Sequence, residues 1–347
     1  MLTSCTLCPR NCKINRSAGE TGYCGQTSAI KAARAALHFW EEPVLSGNRG
    51  SGAVFFSGCN LRCVFCQNYN IALGDVGREI SEDRLAEIFF ELKEKGAHNI
   101  NLVTGTPFIP QIVKALEKAK ERDLDIPVIF NCGGYESVSS IKMLDGLVDI
   151  YLPDMKYYSS ELSSKYSAAP DYFERACEAI AEMYRQVGPA RFTTDSKRGQ
   201  TCENIADSGF VKRQSSEIRK NSDSENGQSS EIFDYSGETL MTRGMIVRHL
   251  ILPGQTKDSK KILRYLYETY GDSIYISIMN QYTPMAHITD PDSPLYSRFP
   301  ELTRKVTQDE YDRVVSFALK LGIEKAFIQE GDTAEESFIP AFDYEGL

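Results

Sequence analysis

Short apolar runs alternate with helical patterns along most of this 347-residue chain, and no other feature restricts the possible folds more. Extended runs are predicted at 53–57, 99–105, 126–131, 149–156, 245–252 and 273–279, with a last short one at 325–329. Between them, helical spacing of apolar residues is found at 81–96, 110–119, 137–147, 170–187, 258–270 and 307–321. Strands that alternate with helices usually pair in parallel. The pattern therefore predicts an open partial barrel, a closed eight-unit barrel or a Rossmann-like sheet.

Composition indicates an intracellular metal-binding protein. Ten cysteines at C-x2-C and C-x3-C spacings, in a chain whose start lacks a signal-peptide pattern, favour metal ligands over disulfides. No apolar run approaches the length of a membrane helix, so a cytoplasmic protein without a membrane partner is expected. The net charge of -9 argues against a broad nucleic-acid-binding surface.

Three cysteines, Cys59, Cys63 and Cys66, follow the first apolar run at C-x3-C-x2-C spacing. Four cysteines saturate a 4Fe-4S cluster, so a trio leaves one iron open to another ligand. S-adenosylmethionine carries an amine and a carboxylate that can chelate such an iron. The alternatives are a zinc knuckle or three unrelated buried thiols, although a zinc site would usually offer C-x2-C pairs and a fourth ligand.

Four more cysteines, Cys5, Cys8, Cys12 and Cys24, lie among polar residues at the N-terminus. Ligands close in sequence with one distant closing ligand are typical of a short coil that folds around a metal. The spacing predicts a second metal site. It does not separate zinc from an iron-sulfur cluster, because both take soft thiolate ligands in tetrahedral geometry.

The C-x3-C-x2-C motif, with Phe65 before its third cysteine, resembles the radical S-adenosylmethionine (SAM) superfamily. The following Gln67-Asn68 resembles the activating-enzyme branch, which includes proteins like pyruvate formate-lyase activating enzyme. The resemblance covers about 53–290. It implies a partial (β/α)6 TIM-like barrel, with a metal-binding extension at 1–50, the barrel at 51–290, and a C-terminal helix and strand packing on the barrel at 291–347.

The resemblance also implies an activity: reductive cleavage of SAM at a 4Fe-4S cluster, followed by hydrogen-atom abstraction. For the activating-enzyme branch, the abstracted hydrogen comes from a glycine of a partner glycyl radical protein. An electron donor such as flavodoxin or ferredoxin is a further implied partner. A small-molecule radical catalyst and a non-catalytic iron-sulfur or zinc scaffold remain the alternatives, and no catalytic side chain is predicted.

Several residues at predicted strand ends suit cofactor contacts. Asp154 and Lys156 are two apart and face the same way, so they bind a ligand or pair with each other. Arg248 is a cation in an otherwise apolar row, suited to a bidentate contact with a carboxylate. Thr104 lies in a turn where the family has two glycines and an acid, and an ordinary turn is the alternative reading. The resemblance implies cofactor contacts for these residues and for two in the cysteine loop: Phe65, Asn68, Thr104, Asp154, Lys156 and Arg248.

Three further segments allow weaker conclusions. Residues 193–240 are polar and too long for a βα connection, which predicts a flexible insertion, with partner recognition as the alternative. Cys132 is more typical of a small buried hydrophobe than of a ligand. The run 30–40 is compatible with either a helix or a strand.

Overall fold

A computed structural model describes residues 2–194, 211–212, 239–329 and 340–347. The strands in this part of the chain are β1 (Ile30–His38), β2 (Ser51–Phe56), β3 (Arg78–Ile80), β4 (Ile100–Val103), β5 (Val128–Cys132), β6 (Ile150–Pro153), β7 (Arg191–Thr194), β8 (Val211–Lys212), β9 (Thr239–Leu250), β10 (Tyr275–Met279) and β11 (Ala326–Ile328). The α-helices are α1 (Pro43–Ser46), α2 (Tyr69–Ala72), α3 (Glu82–Glu94), α4 (Ile109–Glu121), α5 (Val138–Lys142), α6 (Ser160–Ser167), α7 (Tyr172–Val187), α8 (Thr256–Tyr270), α9 (Ala286–Thr289), α10 (Pro294–Arg298) and α11 (Gln308–Leu321).

The sheet confirms the predicted α/β class and its mostly parallel pairing. Seven parallel strands follow one another in sequence order, β2-β4-β5-β6-β9-β10-β11, and the short β8 pairs in parallel on the outer side of β11. A doubly wound sheet reverses its strand order at a switch point between central strands, and these seven strands show no reversal. Among the described strands, β3 and β8 end the path without pairing to each other, so the barrel-type sheet is open.

β1 is a strand of the sheet that lies within the predicted N-terminal extension. The segment 30–40, compatible with helix or strand from its sequence, pairs antiparallel with β2 and also with β3. Because it runs against β2, the chain passes from the C-terminal end of the parallel strands to their N-terminal end. Part of the predicted extension 1–50 therefore contributes a strand to the sheet, and β11 likewise joins the sheet rather than packing on it.

Buried side chains from β5, β6, β9 and β11 form one apolar cluster with Leu45 of α1. Because three strands separate β5 from β11, their shared cluster indicates a sheet that curls toward this face. A larger core lies on the other face, between the sheet and helices such as α3, α4 and α7. Asn99 holds α1 in place by donating its side-chain amide to the Leu45 carbonyl at 2.7 Å.

Local signals explain where the helices begin and end. The Ser81 hydroxyl accepts from the Arg84 amide and begins α3, and the chain turns at Gly96 with a φ of 92°. The predicted helix at 137–147 ends at Lys142, before a turn with Gly146 at a φ of 76°. α6 was not predicted because its serine-rich sequence has few apolar residues at helical spacing.

Strand lengths differ from the predictions at two places. β6 ends at Pro153, since proline has no amide proton to donate to a neighbouring strand, and only a bridge from Asp154 to Arg248 continues the pairing. β9 begins six residues before the predicted 245, because its first residues pair antiparallel with β7. Most of the predicted insertion 193–240 lies outside the described residues, and its flexibility stays a prediction.

Candidate metal and cofactor site

The cysteine loop leaves β2 at Gly58, whose φ is 83°. A side chain at this position would lie 2.7 Å from the Cys24 carbonyl oxygen, so only glycine fits between the loop and the N-terminal segment. The amide of Gly58 donates to the Ile71 carbonyl at 2.7 Å, which closes the loop over α2. The loop is therefore fixed at the C-terminal end of β2, where parallel α/β sheets bind ligands.

The three thiols of this loop influence one another electrostatically. Burial raises the pKa of Cys59 to about 11, and neighbouring Cys63 adds to the effect. Burial also raises the pKa of Cys66, with Cys63 and Cys59 contributing. The Cys63 sulfur accepts from the Ser167 hydroxyl at 3.0 Å. Such a group of buried thiols is stable as thiolates only when a bound cation supplies the compensating charge.

The trio fits a cluster better than a single ion. A structural zinc usually has four protein ligands, whereas this loop supplies three thiolates. Thiolates around one zinc lie only about 4 Å apart, given a Zn–S bond of about 2.3 Å. In a four-iron cluster each cysteine binds a different iron, which asks for a wider set of sulfurs. The donor chemistry of Cys59, Cys63 and Cys66 therefore fits a 4Fe-4S cluster.

The structure brings together the four cysteines predicted to form a second site. Cys5, Cys8, Cys12 and Cys24 line one small cavity. Burial raises the pKa of Cys8 to about 12, and the other three cysteines add to the effect. At Gly22 a side chain would lie 2.8 Å from the Cys12 sulfur. This shared cavity fits a thiolate-bound metal, and the choice between zinc and a cluster stays open.

The N-terminal segment is attached to the cysteine loop by Arg10. Its guanidinium donates to the carbonyls of Asn60 at 2.8 Å and Ser167 at 2.7 Å, and also contacts the carbonyl of Ala168. It also lies over the ring of Tyr23, 3.8 Å from the centroid. Since Ser167 also donates to Cys63, one arginine joins the two cysteine sets through the end of α6.

The predicted strand-end residues converge on Arg248. Its Nε donates to the Asp154 carboxylate at 3.0 Å, its Nη1 to Glu41 at 3.2 Å and its Nη2 to the Asn131 side-chain oxygen at 2.6 Å. Lys156 forms an ion pair with Asp154 at 2.5 Å. Burial acts to raise the pKa of Asp154, but the two cations outweigh it and the net shift is downward. The same pairing holds the pKa of Arg248 and of Lys156 above the ordinary range.

Two functional-site candidates were missed from the sequence. Glu41 accepts from Arg248 and from the side-chain amides of Asn101 at 2.9 Å and Asn131 at 3.3 Å, although it is more than 200 positions before Arg248. Glu136 accepts from the Thr106 hydroxyl at 2.9 Å, beside the turn that lacks an acid of its own. Burial raises the pKa of Glu136 to about 7. The short Gly133-Gly134 turn before Glu136 was the available signal.

The other predicted cofactor contacts lie around the loop. Phe65 packs edge-on against the rings of Tyr157, Tyr166 and Tyr282, so its ring is part of the core. Thr104 adopts a left-handed backbone with a φ of 61° at the end of β4. Asn68 precedes α2, and its neighbour Gln67 donates to the Gln281 carbonyl at 2.7 Å. Their cofactor contacts stay predictions.

Comparison with known proteins gives a match to one family model. Residues 53–195, which begin in β2 and include the cysteine loop and β4 to β7, match the model of the radical SAM superfamily. The uncharacterized protein MJ0674 of Methanocaldococcus jannaschii is 24% identical over 329 residues, which cover 92% of this chain and 76% of that protein.

Two solved structures share a partial fold likeness. One is Streptococcus suis SuiB bound to the precursor peptide SuiA, with a TM-score of 0.44, 10% identity, and coverage of 79% of this chain and 46% of SuiB. The other is methylornithine synthase (PylB), with a TM-score of 0.39, 14% identity, and coverage of 77% and 67%. This chain thus spans less than half the length of SuiB.

The match to the radical SAM model is confined to 53–195, and the C-x3-C-x2-C motif lies within this range. The activating-enzyme branch is a finer assignment that the comparisons leave unconfirmed. In the described part of the chain, no helix combines the length and apolar character needed to span a bilayer.

Proposed function

We propose that this protein is a radical SAM enzyme in which Cys59, Cys63 and Cys66 hold a 4Fe-4S cluster. The observation that carries the proposal is the position of this thiol loop at the end of β2, where burial raises the pKa of Cys59 to about 11 and nearby Lys156 opposes only part of that rise. When bound and reduced, such a cluster supplies the electron that splits SAM into methionine and a 5'-deoxyadenosyl radical, which takes a hydrogen atom from the substrate.

The side chains at the strand ends then bind and orient SAM. The guanidinium of Arg248 has five N–H donors, and the three bonds to Asp154, Glu41 and Asn131 use three of them. The remaining two suit the carboxylate of SAM, while Asp154 suits its amine. Buried polar groups fixed in advance hold a ligand without reorganising, which is why this network favours binding in one orientation.

Anaerobically reconstituted protein, reduced by dithionite or by a flavodoxin or ferredoxin system, tests this proposal. We expect release of 5'-deoxyadenosine and methionine from SAM. The variant with Cys59, Cys63 and Cys66 all changed to alanine is expected to lose one cluster's worth of iron and all release. Cys177→Ala, on α7, is the matched control. Full cluster loading without either product would contradict the proposal.

Activation of a glycyl radical protein is the finer proposal, and it rests on the likeness of Gln67-Asn68 to the activating-enzyme branch. Electron paramagnetic resonance of the reduced enzyme mixed with candidate partners is expected to show a glycyl doublet on the partner. If no partner gains the doublet while a metabolite extract accelerates 5'-deoxyadenosine release, small-molecule radical catalysis replaces this proposal.

A second metal at Cys5, Cys8, Cys12 and Cys24 completes the proposed cofactor set. Serine replacement of these four residues is expected to remove this metal, zinc or iron, and to leave the iron at the first site in place. Metal analysis by plasma emission, together with visible absorption, separates the two sites. Unchanged metal content would show that the four cysteines hold none.

A further inference from the structure

A pocket with a mixed polar and apolar lining lies beside the Arg248 network, between residues 40–43 and strands β9, β10 and β11. Its lining includes Trp40, Glu41, Glu42, Arg248, Ser277 and Gln281. The same Gln281 accepts from Gln67, one residue after Cys66. The pocket therefore borders both the arginine that the proposed function assigns to SAM and the loop that holds the proposed cluster.

Glu42 is the described side chain of this pocket that has a buried oxygen without a hydrogen-bond partner. Its residue is 8% exposed, and its Oε2 has no hydrogen-bond partner among the described residues. The Ser277 hydroxyl bonds to the carboxyl group, but burial still raises the pKa of Glu42. An unpaired buried carboxyl oxygen costs free energy in the folded protein. A ligand group that donates a hydrogen bond to it would recover that cost.

The charges around Glu42 indicate what kind of donor fits. Arg248 forms ion pairs with Asp154 and Glu41, and Lys156 pairs with Asp154. These groups contain three carboxylates, counting Glu42, against two cations. Among these described groups, Glu42 is the acid that forms no ion pair, and the nearby Arg248 only partly opposes the rise in its pKa. A positively charged ligand group at Glu42 would complete the pairing.

Trp40 adds a second preference for a cation. It lines the pocket together with Glu42 and is 51% exposed. Indole faces attract ammonium and guanidinium groups. An indole and a buried carboxylate in one pocket suit a flexible chain ending in such a group.

We propose that this pocket is the substrate site and that Glu42 binds a protonated amine or a guanidinium of the substrate. This inference rests on the proposed function for the assignment of the pocket to substrate. Arg248 separates the two ligands, with SAM on the side of Asp154 and Lys156 and the substrate on the side of Glu42 and Ser277.

Binding of simple probes tests the inference without any turnover. Nα-acetyl-lysine methylamide and its arginine counterpart are titrated calorimetrically into cluster-loaded protein saturated with S-adenosylhomocysteine, at millimolar probe concentrations. Nα-acetyl-norleucine methylamide, which has a methyl group in place of the charged end, is the uncharged probe. We expect at least one cationic probe to bind at least about tenfold more tightly than the norleucine probe, because the norleucine probe cannot make the charge-assisted hydrogen bond to Glu42.

Glu42→Gln keeps the size of the side chain and removes its charge, and it is expected to abolish the preference for the cationic probe. Asp258→Asn is the matched control, because Asp258 is equally buried at 8% exposure, does not line the pocket, and accepts hydrogen bonds from two backbone amides. Equal binding of charged and uncharged probes, no binding of either cation, or an unchanged preference in Glu42→Gln each overturns the inference. Release of 5'-deoxyadenosine is measured separately, so failure of the proposed function is distinguishable from failure of this one.

Discussion

Arg248 illustrates what a single residue can and cannot reveal from its sequence position. Alternation along the strand identifies it as a cation in an apolar row, and the structure places it beside Asp154, which follows β6. The partner Glu41 could not be found this way. It lies after an antiparallel strand, and nothing in the local pattern indicates that residues 40–42 reach into the sheet.

Replacing Arg248 is expected to affect stability as well as cofactor binding. Arg248→Ala leaves Glu41 and Asp154 buried without their shared cation, which typically costs about 3–5 kcal/mol. Arg248→Lys keeps the charge but loses the fork geometry, so it is expected to weaken SAM binding with a smaller loss of stability. Urea unfolding and calorimetric titration with SAM measure the two effects. Wild-type SAM affinity in a folded Arg248→Ala protein would contradict the assigned contact.

Glu136 is expected to give cofactor-free protein a distinctive pH dependence. Its pKa is raised from 4.5 to about 7 in the folded state, so the unfolded state ionises first as the pH rises. The free energy of unfolding therefore falls as the pH rises from 4.5 to about 7, by at most about 3 kcal/mol, and the loss persists at higher pH. Glu136→Gln removes this effect.

Urea midpoints of wild type and Glu136→Gln, compared at several pH values, test the expectation. The variant gains relative stability as the pH rises through this window. Parallel curves across it would mean that Glu136 titrates normally.

At the scale of elements, α11 shows how a helix predicted from sequence depends on its first turn. Thr307 and Glu310 form a reciprocal capping box, and Glu310 also accepts from Arg304 at 2.7 and 2.8 Å and from the Gly254 amide at 2.8 Å. These partners, Arg304 above all, lower the pKa of Glu310 to about 2. The helix was predicted from its periodicity, whereas the contact with Gly254 depends on how β9 and α8 are placed.

Glu310→Gln is expected to lower the free energy of unfolding by about 1 kcal/mol at neutral pH, the usual cost of a lost cap. The lowered pKa means that this stabilisation is full above 4.5 and disappears as the pH falls toward 2. Thermal unfolding of both proteins across that range measures the convergence. Glu324→Gln, on the exposed surface, is the control. A constant difference at every pH would rule out the ionised cap.

Sequence periodicity predicted most elements because each parallel strand and its helix are buried in a regular way. It missed α6 and β7, which depend on their neighbours: α6 on the cysteine loop, through the Val64 amide bonded to the Tyr166 carbonyl at 2.9 Å, and β7 on β9. Likewise, the motif identified the thiols, but Glu41 and Glu42 owe their position to β1. Residues defined by spacing could be predicted, and those defined by long-range contacts could not.

At the scale of the whole molecule, the N-terminal segment and the barrel form one structure through Arg10. Arg10→Gln is expected to loosen the segment, because glutamine cannot make three carbonyl contacts at once. We expect faster loss of metal to a chelator from both cysteine sets. The visible absorption decay at a fixed chelator concentration measures the rate. Lys13→Gln, which replaces an exposed cation of the same segment, is the control. Identical decay in Arg10→Gln and wild type would show that the two cysteine sets are independent.

β1 directly connects the region of the two cysteine sets with the pocket that contains Glu41 and Glu42. Its first residues follow the N-terminal cysteines and pair beside the cysteine loop, where the Ser57 amide donates to the Lys31 carbonyl at 2.9 Å. Its nine residues, about 30 Å of extended chain, end just before Glu41 and Glu42. The C-terminal tail holds the strand at mid-length, through the Ala35 amide to Glu345 at 2.8 Å and the Tyr344 amide to Ala33 at 3.1 Å. A shift of β1 along its own axis would thus move the residues beside the cysteine loop and Glu42 together, and Glu42 would change position without a change of charge in its surroundings.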